Sequence, residues 1–166
     1  MKYYVDIPYP KIQVERPNIE YAKILSNIYA GEVSEESCIG LYIFEHISLF
    51  NTYLEYAEAL KKIAIVEMHH LEILGELIDL LGMKPAFMSY DNLKKECIPW
   101  NACYINYNTN IKDIIDLDIQ AEENAIACYQ DLLTIIKDKY ITQILERIIM
   151  DEELHLSIFR EFKDKI

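Results

Sequence analysis

At 166 residues the chain suits a single domain, residues 1–166, large enough to bury a core without disulfide or zinc staples. A formal net charge of −12 argues against a nucleic-acid partner, which needs a basic face, and against an anionic membrane surface. Only four Gly and five Pro stand against many Leu, Ile, Ala, Glu and Lys, so the composition predicts an all-α protein of long helices.

Residues 1–18, with Pro8, Pro10 and Pro17, read as an extended arm leading into a first helix near Asn18. Helical periodicity then runs from Ile19 to about Phe50, with Gly31 as a place to kink. Asn51-Thr52 is a polar stop and a new N-cap, and a second helix is predicted from about Tyr53 to Leu81, ending at Gly82. So short a turn implies an antiparallel hairpin. The segment 83–110, with Pro85, Pro99, Trp100 and several Tyr and Asn, shows no helical stripe and reads as a long irregular crossover. Helices follow from about Ile111 to Ile136 and from about Tyr140 to Lys163, separated by the Lys137-Asp138-Lys139 turn.

Met1-Lys2-Tyr3-Tyr4-Val5-Asp6 opens no apolar signal sequence, and no stretch of eighteen apolar residues occurs, so no membrane span is expected and the cytoplasm is the expected compartment. Cys38, Cys97, Cys103 and Cys128 form no CxxC pair. Cys38 and Cys128 read as reduced core residues, and Cys97 and Cys103 share a loop in which their pairing stays open.

Glu67-Met68-His69-His70 lies on the second predicted helix and Glu152-Glu153-Leu154-His155 on the last, so each carries Glu-x-x-His. Residues three apart share a helix face, and a carboxylate and an imidazole so placed can bind a cation together. Leu60, Ile63, Ala64, Leu71 and Leu74 surround Glu67 at helical spacing; Leu145, Ile148, Ile149, Leu156 and Phe159 surround Glu152. Both pairs therefore point into the core. An unpaired buried carboxylate costs several kcal/mol, and with no Lys or Arg in these stripes a metal is the leading remedy.

In bundles that hold two metals, each such helix is matched by one that gives one further Glu. On the third helix Glu122 has Ile115, Ile119, Ala125, Ile126 and Tyr129 on its face, with Asp118 the one polar exception, whereas Glu123 has Asp116 and Gln130. On the first, Glu35 has Ile28, Cys38, Ile39 and Tyr42, whereas Glu36 has Glu32 and Gly40. Glu35 and Glu122 are the choices. Glu35 to Glu67 and Glu122 to Glu152 span 32 and 30 residues, a weak internal duplication. Four carboxylates would balance two divalent cations, and mixed O/N ligation suits iron or manganese. His69 falls about 100° off the ligand face. His46 reads as a bundle-end histidine, Tyr42 and Tyr129 as hydrogen-bond donors near the metals or plain core aromatics. Asp151 reads as a group that fixes the tautomer of a ligand histidine, a support Val66 cannot mirror on the second helix.

At Ser34-Glu35 with Tyr42, Val66-Glu67-Met68-His69-His70-Leu71-Glu72-Ile73, Ala121-Glu122 with Ala125-Ile126 and Tyr129, and Asp151-Glu152-Glu153-Leu154-His155, the sequence resembles the ferritin-like superfamily. Within it the likeness is to the rubrerythrin and manganese-catalase side, over roughly residues 18–163. The resemblance implies a four-helix bundle of two antiparallel hairpins, two Fe or two Mn ions held by Glu35, Glu67, His70, Glu122, Glu152 and His155, and a homo-oligomer. Rubrerythrins usually append a rubredoxin-like iron domain held by four cysteines, absent here, and manganese catalases are usually longer. The implied activity is removal of hydrogen peroxide, as a catalase or as a peroxidase with an external electron donor. The alternatives are a ferroxidase and iron-storage protein using dioxygen, or a non-catalytic metal-binding structural protein of the spore-coat kind.

Overall fold

The computed structural model describes residues 2–166; Met1, the first residue of the expected arm, lies outside the described residues. Four long helical stretches form the ferritin-like bundle expected from the sequence, one of them broken in two. Helix α1 (Ile19–Ala30) starts at Asn18, whose side chain accepts from the amides of Glu20 and Tyr21 at 3.1 and 3.3 Å. Helix α2 (Glu35–Leu49) starts at Ser34. The kinked single helix anticipated over 19–50 is therefore two helices. The Gly31 amide bonds to Asn27 O, and the hydroxyls of Ser34 and Ser37 satisfy Gly31 O at 2.8 and 2.9 Å, so the backbone groups freed by the break are paired locally. The break sets Glu35 at the first turn of a new helix.

Helix α3 (Leu54–Leu80) is antiparallel to α2 and ends at Gly82, whose φ of +96° favours glycine. Helices α4 (Ile111–Ile135) and α5 (Lys139–Lys163) form the second hairpin, capped by Asn110 and Asp138. The crossover is more regular than the irregular segment read from the sequence. Met88–Asp91 (β1) and Glu96–Pro99 (β2) pair antiparallel, and Ala102–Tyr104 makes one 3₁₀ turn. Four-residue strands hold too few alternations to stand out as a period. The hairpin rests on α1, where Tyr90 N donates to Asn27 Oδ1 at 3.0 Å and Tyr29 stacks on Phe87. Among the described residues no helix is long and apolar enough to cross a membrane.

The core divides into two apolar clusters. One joins α1 to the C-terminal halves of α3 and α4 and the N-terminal half of α5, through Leu25, Leu74, Leu77, Ile144 and Ile148. The other joins α2 to the opposite halves, through Leu60, Ile63, Ile114 and Phe159. Between them lies a polar waist. A Cβ at Gly31 would stand 2.4 Å from the Asn27 carbonyl oxygen, a backbone atom that cannot swing aside. Gly31→Ala should destabilise the fold by about 1–3 kcal/mol in urea denaturation, the usual cost of a forced close contact.

Candidate metal centre

The waist is built from the middles of α3, α4 and α5 and the first turn of α2. Glu35 comes from α2, Glu67 and His70 from α3, Glu122 from α4, and Glu152 and His155 from α5. All six are buried, the most exposed being Glu35 at 4%. They fall into two donor groups, Glu35, Glu67, His70 and Glu152, and Glu67, Glu122, Glu152 and His155, the donor atoms of each lying within 4.8 Å of one another. The two Glu-x-x-His glutamates thus belong to both groups. Every residue picked from the sequence as a ligand sits in this cluster.

The histidines approach it symmetrically. His70 Nδ1 lies 2.9 Å from Glu67, 3.1 Å from Glu152 and 3.6 Å from Glu35. His155 Nδ1 lies 3.0 Å from Glu67, 3.1 Å from Glu152 and 3.8 Å from Glu122. Their Nε2 atoms point outward. His70 Nε2 meets Asp151 Oδ2 at 3.3 Å and the Tyr9 hydroxyl at 2.9 Å, and His155 Nε2 donates to the Tyr3 carbonyl at 2.8 Å. An outward N–H leaves each Nδ1 lone pair facing carboxylate oxygens. Glu67 Oε1 and Glu152 Oε1 also lack hydrogen-bond partners. Lone pairs converging on lone pairs in a dry site ask for cations between them, so the donor set fits two metal ions.

Titration behaviour reflects the same crowding. Burial pushes the Glu35 carboxyl up to about 8, with the neighbouring Glu152 charge adding to it. Glu122 rises for the same two reasons. Burial alone would raise Glu67 as well, but His155 and His70 hold it below the usual carboxylate range. Burial would lower both imidazoles; the carboxylates around them, Glu152 at His70 and Glu67 at His155, keep both well above their ordinary value. In the absence of metal, protons do the neutralising.

Tyr42 donates to Glu122 Oε1 at 2.6 Å, and Tyr129 donates to Glu35, each reaching from one hairpin to the lone glutamate of the other. Asp151 holds His70 of the opposite hairpin rather than His155 of its own helix. His69 lies outside the cluster, pairing with Glu72, and His46 Nδ1 donates to Ala57 O at 2.8 Å near the bundle end.

What the sequence reading missed is the part the expected arm plays at the site. Asp151 Oδ1 accepts from Val5 N at 2.6 Å, Tyr9 donates to Asp151 Oδ2, and Arg147 bonds the carbonyls of Ile7 and Val5 at 2.8 and 2.6 Å. Arg147 also pairs with Asp151 at 2.9 Å and stacks on the Tyr9 ring. Burial opposes the Asp151 charge, but His70, Tyr9, Val5 N and Arg147 together draw its carboxyl down to about 2. Arg147 and Asp151 are four apart on one face of α5, and that spacing was a usable signal. Glu45, buried on α2 three residues beyond Tyr42 on the face of Glu35 and Cys38, was overlooked too.

A small cavity of about 10 Å³ reaches the waist beside α1, α2 and α4, lined by Ile28, Val33, Glu35, Cys38, Ala125 and Cys128 among others. It has room for about one water-sized molecule.

Helical hairpins joined by a crossover, with a carboxylate and histidine cluster at the waist, define the ferritin-like class. The chain belongs to the rubrerythrin family, whose model matches residues 23–163. It is 24% identical over 177 residues to the "Probable manganese catalase" of Clostridium acetobutylicum, covering 94% of this chain and 76% of that protein. It is 27% identical over 149 residues to a bacterioferritin of Desulfovibrio desulfuricans, covering 87% and 76%. The structure of KatB, a manganese catalase from Anabaena, superposes with a TM-score of 0.84 at 23% identity, covering 99% of this chain and 80% of that one.

Arg147 is 4% exposed and Asp151 fully buried, so Arg147→Ala would strand a buried charge. The loss should be about 3–5 kcal/mol in denaturation, and Arg147→Ala combined with Asp151→Ala should recover part of it.

Proposed function

We propose that Glu35, Glu67, His70, Glu122, Glu152 and His155 hold two ions of iron or manganese, and that the centre destroys hydrogen peroxide by disproportionation. The observation that carries this reading is the sharing of Glu67 and Glu152 between both donor groups, each with an oxygen lacking a hydrogen-bond partner. Shared carboxylates suit a pair of ions better than a single one. When bound, such a pair supplies a two-electron change, one electron per ion, matching the two electrons by which peroxide differs from water or from dioxygen.

The chain's own residues do the rest. Glu35 with His70, and Glu122 with His155, give each position one carboxylate and one imidazole of its own. Tyr129 and Tyr42 hold those lone carboxylates by hydrogen bonds and so limit how far they swing. Asp151 and the Tyr3 carbonyl fix the imidazoles with Nδ1 inward. The small cavity, walled by Ile28, Val33, Cys38, Ala125 and Cys128, leaves no space for a bulky organic substrate beside the waist. Disproportionation turns two hydrogen peroxide molecules into two waters and one dioxygen without an external reductant; a peroxidase would need an electron donor. The manganese-catalase relative favours the former.

The bacterioferritin relative favours a second reading, in which the same residues oxidise Fe(II) with dioxygen and a shell of like chains stores the product. Oxygen release from peroxide by the metal-loaded protein, without reductant, supports the first reading; iron loading of a large hollow assembly with no oxygen release supports the second. His70→Ala with His155→Ala should abolish metal retention, and metal content unchanged in that variant would contradict the ligand assignment. Asp151→Asn should weaken metal binding by roughly 10–100-fold.

Proton linkage gives a separate check. Both imidazoles are held above their ordinary value and Glu35 near 8, so the metal-free site carries protons at neutral pH. Metal binding should release them, and affinity should fall as pH falls. Calorimetry in buffers of differing ionisation enthalpy measures the proton count; a count of zero at neutral pH would contradict the reading.

A further inference from the structure

One turn from Glu122 toward the α2 end of the bundle lies a second buried acidic group outside the donor cluster. Glu45 of α2 and Asp118 of α4 are both fully buried, and the Tyr56 hydroxyl of α3 donates to Asp118. Both Glu45 oxygens and Asp118 Oδ1 lack a hydrogen-bond partner. The same helix halves carry the apolar cluster of Leu41, Leu49, Ile114, Phe159 and Phe162. Among the described residues no Lys, Arg or His pairs with either carboxyl; the titratable groups that act on them are Tyr56 on α3 and Tyr42 on α2, with Glu122 of α4 acting on Tyr56 and Tyr42, and from α5 Phe159 and Phe162 pack on the Tyr56 ring. His46 is engaged with Ala57 O.

Two ionised carboxylates cannot share such a place, and plain packing does not need them. The internal duplication makes the second point. Matching Glu35 with Glu122 and Glu67 with Glu152 pairs Asp118 with Gly31, Glu45 with Leu132, and Tyr56 with Ile141. In the other half the equivalent places are a helix end and two residues of the apolar core. The polar trio is an addition to one half of the duplicated core.

We propose that Glu45 and Asp118 form a proton store for the peroxide chemistry, Glu45 keeping its proton and offering it to Asp118, while Asp118 alternates between carboxylate and acid. The proposal rests on the peroxide reading. Oxidation of one peroxide to dioxygen releases two protons with two electrons, and reduction of the next to two waters consumes two protons with two electrons. Asp118 takes up one of the two released protons and returns it in the second half, while the other leaves to solvent and is replaced from solvent, so the pair alternates between one proton and two. The direction of transfer follows from placement: Asp118 and Glu122 share a face of α4, Glu45 and Tyr42 share a face of α2, and Tyr42 donates to Glu122 at 2.6 Å. Tyr56 donates to Asp118, whereas neither Glu45 oxygen has a donor, so the resident proton belongs on Glu45 and the charge on Asp118; burial pushes both carboxyls above the usual carboxylate range.

Infrared difference spectroscopy on metal-loaded protein tests this, using the near-isosteric variants Glu45→Gln and Asp118→Asn. The expected result is a protonated-carboxyl carbonyl band, sensitive to D2O, that persists through neutral pH and is lost in Glu45→Gln. A second such band should grow in as the pH is lowered through neutrality and be missing in Asp118→Asn. With metal content unchanged, Asp118→Asn should lower peroxide turnover at least roughly tenfold and alter its pH profile. Absence of a protonated band assignable to Glu45, or a third bound metal equivalent lost in both variants, overturns the proposal. Wild-type turnover in Asp118→Asn overturns the store while leaving the peroxide reading intact; a loaded wild-type protein that leaves peroxide untouched overturns both.

Discussion

Four carboxylates and two imidazoles share a waist buried from bulk solvent, and among the described residues no Lys or Arg pairs with any of the four carboxylates. Coulomb repulsion in so dry a place would open the bundle unless protons or cations held it together. The rest of the architecture serves that arrangement. Apolar clusters on either side keep the waist dry, and they also supply the burial that holds the acidic side chains in register. The break at Gly31 and the cap at Ser34 fix where α2 begins, and hence where Glu35 stands.

The duplicated hairpins supply ligands in matched pairs, and Tyr42 and Tyr129 cross between them in a matched way. The outer support is not matched. Asp151 carries the load for His70, whereas His155 relies on a backbone carbonyl of the arm at Tyr3. The same arm is clasped by Arg147 and Asp151, so one buried ion pair both anchors the arm and orients one imidazole. The Glu45, Asp118 and Tyr56 group is a second departure from symmetry, on the α2 side alone.

Much of this could be read from periodicity. Glu67, His70, Glu152 and His155 lie on apolar stripes of long helices, where a 3.6-residue period tells inside from outside with little ambiguity. Glu35 and Glu122 were chosen over Glu36 and Glu123 on the same ground, and the chosen pair lies in the buried cluster while Glu36 and Glu123 do not join it. Contacts made by chain without period could not be read that way. Apart from the Tyr9 side chain, the arm meets α5 through backbone atoms of Tyr3, Val5 and Ile7, which leave no trace in side-chain pattern. The crossover hairpin is too short to show alternation, and the split between α1 and α2 depends on serine hydroxyls bonding a single carbonyl. Asp118 was visible as the polar exception on the Glu122 face, but its partner Glu45 lies on another helix, and only the fold brings the two together.

Anomalous X-ray diffraction from crystals of the metal-loaded protein tests the central claim most directly. The account predicts two ions at the waist, bridged by Glu67 and Glu152, one completed by Glu35 and His70 and the other by Glu122 and His155, each imidazole binding through Nδ1. A single ion, or anomalous density away from these six side chains, would contradict it.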